Sequence, residues 1–332
     1  MLDFIPSGLY YDIYLNCCFF LVVFTLLHTR ILHLDDKKNI KFINFSGYLL
    51  LTLIIIYMGQ RPIYAVFGDT VNYNFSYKLY ANGAEIGNVR DYGWHVFMKF
   101  MSNIVSVHTF FSIIATIYIY PMYRISKQIF GIYWYYSFIL FIVSFSFWTY
   151  GVNGMRNGAA LSLFLWGVSY RNNNIAMSVF FLIALTFHKT AFLPILAYLT
   201  TQFYNNPKFY LKSWLMCIPL SLIFGSIFVV IFSSLGFGGD DRLAGYLTTQ
   251  VEEGTFAYTG FRWDFLFHSA FAVFAGWYFI YKKDLILLID NYKIRTDIGE
   301  HAKESVKKYY SENIINIWIK LYRTNNNNNN TK

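Results

Sequence analysis

A bundle of membrane-crossing α-helices is the fold class this sequence predicts, and three observations predict it. Of its 332 residues, 56% are hydrophobic and only 14% charged, so most of the chain has no polar face to turn toward water. Several apolar runs reach the ~18–20 residues needed to cross the hydrocarbon core as a helix. The charges fall between these runs and at their ends, with Lys and Arg outnumbering Asp and Glu, 27 to 18. A net charge of +9 dispersed in this way fits the orientation of membrane helices by positive loops, and nucleic acid is not an expected partner. Cys17, Cys18 and Cys217 lie inside apolar runs with neither metal-ligand nor disulfide spacing, and read as packing residues.

The clear spans are residues 9–28, 44–58, 107–123, 132–150, 154–170, 213–235 and 263–281. The first lacks a basic flank before it and a small-residue cleavage site after it, so it is expected to remain as a transmembrane helix. Arg30, Lys37, Lys38 and Lys41 mark the next loop as cytoplasmic, as do Arg124 with Lys127, and Arg171. The N-terminus, the segment 59–106 and the turn 150–156 then lie outside.

The run 175–201 is different, because "LTFHKTAFLPIL" (185–196) puts His188 and Lys189 at its centre. As a single crossing it would leave Lys208, Lys212, Lys282 and Lys283 outside and the acidic segment 236–262 inside, against the positive-inside rule. As a broken or re-entrant helix with His188 and Lys189 at its outer tip, it lets every loop obey the rule. Each arm is then only ~20 Å long at 1.5 Å per residue. Such a break is tolerated at membrane depth where it is buried in protein or lines water, and Pro194 loosens the helix nearby. The expectation is a polytopic bundle of about 8–9 membrane segments. It comprises a transmembrane domain over 1–282 with external loops 59–106 and 236–262, followed by a polar tail, 283–332, whose asparagine run has the composition of disorder.

With this topology Arg61, Asp69, Asp91, Arg156, His188, Arg242, Glu253 and Arg262 share the external side, as an extracytoplasmic cavity requires. In "RPIYAVFGDTVNYNFSY" (61–77), Asp69, Tyr73 and Tyr77 repeat every four residues and share one helical face. That face suits an interfacial aromatic belt or a grip on sugar. "NVRDYGWHVFMKF" (88–100) is too short to span, and Asp91 stands where it can cap a re-entrant or interfacial helix. In "NGMRNGAALSLFLWGVSY" (153–170), Gly154, Gly158 and Ser162 form a small-residue stripe. Arg156 at its mouth either snorkels to the interface or joins the helix N-terminus as a phosphate cradle. The loop 238–265, with Arg242, Tyr246, Glu252, Glu253, Arg262 and Asp264, is a lid or substrate loop on one reading and a solvated surface on the other.

No Walker loop, Rossmann glycine pattern, HExxH or GxSxG is present. His28 and His33, five apart, have poor metal spacing. No cofactor or metal is expected, and a substrate must arrive already activated.

Together, "GDTVNYNFSY" after the second span, "DYGWHVFMKF", "GMRNGAALSL", "FHKTAFLPILAYL" and "DDRLAGY" resemble the EpsG family over residues 45–282. This is a family of Wzy-type bacterial polysaccharide polymerases. The resemblance implies a GT-C-like membrane glycosyltransferase at the outer face of the bacterial inner membrane. It would join oligosaccharide repeat units carried on undecaprenyl diphosphate into O-antigen or exopolysaccharide, alongside chain-length regulator and flippase proteins. On that reading Arg156 and Arg242 stabilise the departing diphosphate. His188 donates to the phosphate or acts as acid or base, and Lys189 adds charge or snorkels. Asp69 is the base on the acceptor hydroxyl, while Arg61, Tyr73, Tyr77, Asp91, Tyr246, Glu253 and Arg262 bind substrate. The polar residues after 282 depart from the further hydrophobic segments that the family leads one to expect. A flippase or transporter of lipid-linked oligosaccharide, a membrane O-acyltransferase and an O-antigen ligase are the competing readings. The one-sided charge and the absence of internal repeats count against a transporter.

Overall fold

The computed structural model describes residues 2–32, 36–232 and 263–282, and every regular element among them is helical. The chain forms two units, residues 1–203 and residues 204–332. In the first, α1 (Tyr10–Ile31) and α2 (Lys37–Gly59) make an antiparallel hairpin. Tyr10 stacks on Tyr57 with centroids 4.9 Å apart, Phe24 meets Phe42 at 5.9 Å, and His28 bonds the buried Asn39. Asp36 caps α2 by accepting from the Lys38 N–H at 3.0 Å. Both helices are apolar on all sides and long enough to cross a membrane by length and composition.

Phe19, Phe20, Leu26, Leu27, Phe45, Leu49 and Leu53 face outward, while Asn39, Arg61 and Thr70 are fully buried. Apolar residues outside and hydrogen-bonded polar groups inside are what a hydrocarbon surround selects. This is a membrane protein, built as a helical bundle.

The segment after α2 carries two short helices, α3 (Thr70–Ala81) and α4 (Tyr92–Ser102). Next come α5 (Val107–Phe130), α6 (Trp134–Ile142), α7 (Phe147–Val152) and α8 (Met155–Val168). Ser162 donates to the Tyr118 carbonyl at 2.7 Å and Arg124 to Ser169 at 2.8 Å. The separations along the chain, 44 and 45 residues, are nearly equal, so α5 and α8 run parallel. Within the small-residue stripe on α8, Gly158 packs locally: a Cβ there would lie 2.3 Å from the Tyr150 carbonyl in α7.

The expected single span over 132–150 is corrected, since 143–146 break it into α6 and α7. Tyrosine hydroxyls mend the break, Tyr14 donating to the Ile142 carbonyl at 2.5 Å and Tyr118 to that of Phe147 at 3.0 Å.

The run 175–201 takes the broken form. α9 (Asn174–Phe187) stops at His188, whose backbone is extended (φ −160°, ψ 131°). A short 3-10 turn, Lys189–Ala191, leads into α10 (Phe192–Phe203). The Phe181 and Tyr198 rings lie 5.8 Å apart, whereas a continuous helix would hold these residues about 25 Å apart along its axis. The chain therefore turns back on itself. Pro194 lies in the first turn of α10, where its missing N–H costs nothing, and the break itself is upstream.

α4 meets the start of α5, with Trp94 and Phe110 centroids 5.9 Å apart. Lys127 lies 17 residues further on, about 25 Å along the helix. Arg30, Lys37, Lys38, Lys41, Arg124, Lys127 and Arg171 thus fall at one end of the bundle and Asp91 at the other. In the second unit, α11 (Pro207–Phe232) leaves helical geometry at Phe224 and packs on α12 (Trp263–Lys282). Trp214 donates to Ser269 at 3.3 Å there.

Candidate functional site

The site grows from one backbone conformation. Asp91 stands just before α4 at φ 56°, ψ 50°, the only non-glycine residue with positive φ among the described residues. A left-handed aspartate costs about 1–3 kcal/mol and persists only where its surroundings hold it. Its side chain does not cap α4. It points instead toward the N-terminus of α8 and the break between α9 and α10. There Oδ2 lies 3.2 Å from Arg156 Nη1 and 3.9 Å from His188 Nε2, and Oδ1 accepts the Lys189 N–H at 3.3 Å.

Each partner is fixed in turn. His188 Nδ1 accepts the Thr190 N–H at 3.2 Å, which leaves the ring proton on Nε2, toward Asp91. Thr190 Oγ1, 2.8 Å from the same Nδ1, donates to Asn157 Oδ1 at 2.7 Å and so ties the break to α8. Arg156 and Asn157 are the second and third residues of α8, beside its free N–H groups. The Asp91 side chain is 6% exposed and that of Arg156 32%, so the carboxylate is shut in while the guanidinium is open to a ligand. Arg156 Nε is buried without an acceptor, a cost that functional sites often carry. Gly93 sets the approach of α4 to α9: a Cβ there would lie 2.3 Å from Thr186 Oγ1.

His95, one turn beyond Asp91, completes the cluster. Its Nδ1 is 2.8 Å from the Tyr80 hydroxyl. Burial lowers its pKa first and the Arg156 charge second, against the opposing pull of Asp91, so it is neutral near pH 7. A cleft of about 560 Å³ shares Asp91 and Lys189 with the cluster and is also lined by Asn88, Arg90, Gly93 and Thr186. Its size suits a small ligand. The charge of Asp91 is already matched by Arg156, so exposed Arg90 and Lys189 make the cleft attractive to an anion. No group of three or more His, Cys, Asp or Glu that could hold a metal occurs among the described residues.

Asp91, Arg156 and His188 are thus brought together. Asp69 lies against Asn153, just ahead of α8. Its N–H donates to Asn153 Oδ1 at 2.8 Å, and its carboxylate accepts from Asn72 at 3.4 Å.

Arg61 is a correction to the substrate-binding reading, because it is fully buried. It donates to the Met58 carbonyl, to Thr70 Oγ1 at 3.0 Å and to the Val152 carbonyl at 3.1 Å, and lies 5.3 Å from the Phe111 ring centroid. Burial pushes its pKa down to about 10, still protonated at neutral pH. It staples α2, α3 and α7 together. Tyr77 is likewise buried, its hydroxyl donating to the Met101 and Val105 carbonyls at 3.0 and 2.7 Å. Tyr73 packs edge-on against Trp94, centroids 5.4 Å apart. That tyrosine face is core, with no surface for a sugar at Tyr77. Arg242, Tyr246, Glu253 and Arg262, and the tail 283–332, lie outside the described residues.

Sequence reasoning did not reach His95, Asn157 and Thr190. Their signals were nearby: His95 is four residues from Asp91 on the same helical face, and the other two adjoin Arg156 and His188.

No curated protein and no solved structure matches the chain. The pattern of the EpsG family matches residues 48–296, which hold the whole Asp91 cluster and well over half of the sequence. The chain belongs to the EpsG family, a family of Wzy-type polysaccharide polymerases and glycosyltransferases.

Proposed function

We propose that this protein polymerises oligosaccharide repeat units carried on undecaprenyl diphosphate, and that the Asp91 cluster holds the diphosphate of the donor chain. The carrying observation is the set of groups on one carboxylate: Arg156 at 3.2 Å, His188 at 3.9 Å and the Lys189 N–H at 3.3 Å, beside a cleft rimmed by cations. The acceptor hydroxyl attacks the anomeric carbon, the C–O bond to the diphosphate breaks, and its electron pair leaves with the phosphate. Negative charge grows on that oxygen in the transition state, where Arg156 and the α8 N-terminus meet it. His188, with its proton on Nε2, donates to the same phosphate. Asp91, closed off and ion-paired, orients both. Asp69, whose backbone is tied to Asn153 just ahead of α8, takes the acceptor's proton. The cationic end of the bundle lies away from this cluster, which supports a site on the outer face of the cytoplasmic membrane.

Purified protein given undecaprenyl diphosphate-linked repeat units should produce a ladder of longer glycans. Units unchanged in length would sink the reading, and transfer to a lipid A core acceptor would make the protein a ligase. A thiol introduced as Glu85→Cys should react with an impermeant reagent from outside the cell. Labelling from the inside alone would reverse the orientation.

A further inference from the structure

At the end of the bundle remote from Asp91, the closing turns of α5 line a second cleft of about 310 Å³, with Tyr120, Tyr123, Arg124, Lys127 and Gln128 on its walls. The ion pairs among the described residues both belong to Asp91, so neither cation here meets a carboxylate among them. Arg124 is nevertheless held firmly. Its Nε donates to Ser169 Oγ at 2.8 Å, Ser169 is itself anchored to the Trp166 carbonyl at 2.6 Å, and the guanidinium lies 4.3 Å from the Tyr170 ring centroid. One edge and one face are thereby fixed, and the two Nη groups have no acceptor among the described residues. Lys127 donates to the Tyr48 hydroxyl and lies 5.1 and 5.7 Å from the Tyr48 and Tyr123 ring centroids.

A guanidinium fork and an ammonium, both held against aromatic rings and lacking a counter-charge, match the oxygens of a phosphate. Basic clefts between membrane helices are where anionic headgroups bind. Tyrosine and tryptophan side chains suit the same boundary between hydrocarbon and water.

We propose that the Tyr120–Arg124–Lys127 cleft binds a phosphate group, presented by an anionic phospholipid headgroup or by a soluble phosphate ester, as an anion site separate from the Asp91 cluster. This proposal does not depend on the polymerase reading.

Native mass spectrometry of the full chain in micelles, with phosphatidylglycerol, phosphatidylcholine and inorganic phosphate as probes, tests it. Phosphatidylglycerol should bind more tightly than phosphatidylcholine, and Arg124→Gln or Lys127→Gln should each weaken it about fivefold. Gln128→Glu, at an exposed rim position, sets a negative charge against the ligand without touching the Arg124 and Lys127 contacts, and should weaken binding similarly. Lys37→Gln with Lys38→Gln removes twice the charge of either single cleft variant from the same end and should leave binding unchanged. Inorganic phosphate that binds alone and displaces the lipid identifies a soluble phosphate site, and phosphate that does neither identifies the headgroup. Equal weakening by the Lys37/Lys38 pair and the cleft variants overturns the proposal. So does the absence of both an anionic-lipid preference and phosphate binding.

Discussion

Two apolar runs of the first unit, 132–150 and 175–201, are each interrupted within their length, and the two breaks are repaired in different ways. Between α6 and α7 the hydroxyl of Tyr14 meets the carbonyl of Ile142 at the end of α6, and that of Tyr118 meets the carbonyl of Phe147 at the start of α7. The repair is neutral and buried. Between α9 and α10 the break is surrounded by Asp91, Arg156, His188 and Lys189, with a cleft alongside. A neutral repair needs only hydrogen bonds. A charged one needs ion pairs that are costly to bury, and here one arginine is left partly exposed. The first break shapes the scaffold and the second concentrates charge where a ligand can reach it.

The sharpest way to break this comparison is to alter one group at each repair. Arg156→Ala removes the guanidinium that meets the leaving diphosphate, and should cut polymer formation about 100-fold or more. Tyr118→Phe removes one buried hydrogen bond to the Phe147 carbonyl, which costs about 0.5–1.5 kcal/mol of stability, yet should leave the activity per folded molecule close to wild type. Glycan ladders normalised to correctly inserted protein measure the first, and thermal unfolding in micelles the second. Full activity in Arg156→Ala, or an inactive but well-folded Tyr118→Phe, would erase the distinction.

A smaller effect tests whether the charged break depends on how closely α4 approaches it. In Gly93→Ala the new methyl would lie 2.3 Å from Thr186 Oγ1. α4 must therefore shift, drawing the Asp91 carboxylate from Arg156 and His188. Activity should fall about tenfold, by analogy with other small displacements of catalytic groups, and Thr186→Gly in the same chain should restore part of it. Failure of that second change to restore any activity would separate the helix spacing from the chemistry.

How much of this was legible in the sequence follows the range of the interactions. The break at His188 could be read because loop charges on both sides of it demanded a return of the chain. The break at 143–146 could not, because its run is apolar throughout and one of its repairing hydroxyls is 128 residues away. Arg61 stands at the end of a span, where an interfacial arginine is expected. Its burial depends on carbonyls of α2 and α7 that no local pattern reveals. Asp91 read as a helix cap because the residue type and position fit. The left-handed backbone that turns its carboxylate away is set by packing around α4. The charges could be located from the sequence, but not the pairs they form.

The smallest expected effect concerns His95, which borders the charged break without joining its ion pairs. Burial and the nearby Arg156 charge lower its pKa, with Asp91 opposing, so the folded protein disfavours its protonation. The sign follows. Its contribution to stability is complete above the ordinary histidine value, near 6.5, and is lost as pH falls through the lowered folded value. Protonation would also leave Nδ1 able only to donate to the Tyr80 hydroxyl and set a second cation beside Arg156. Melting temperatures should therefore hold steady down to neutral pH and then decline, with a shallower decline in His95→Gln. His188 is present in both proteins, so the difference between the two curves isolates His95. Coincident curves would mean that the Tyr80–His95 pair is insulated from the charged break, and that the break's electrostatic reach ends at Asp91 and Arg156.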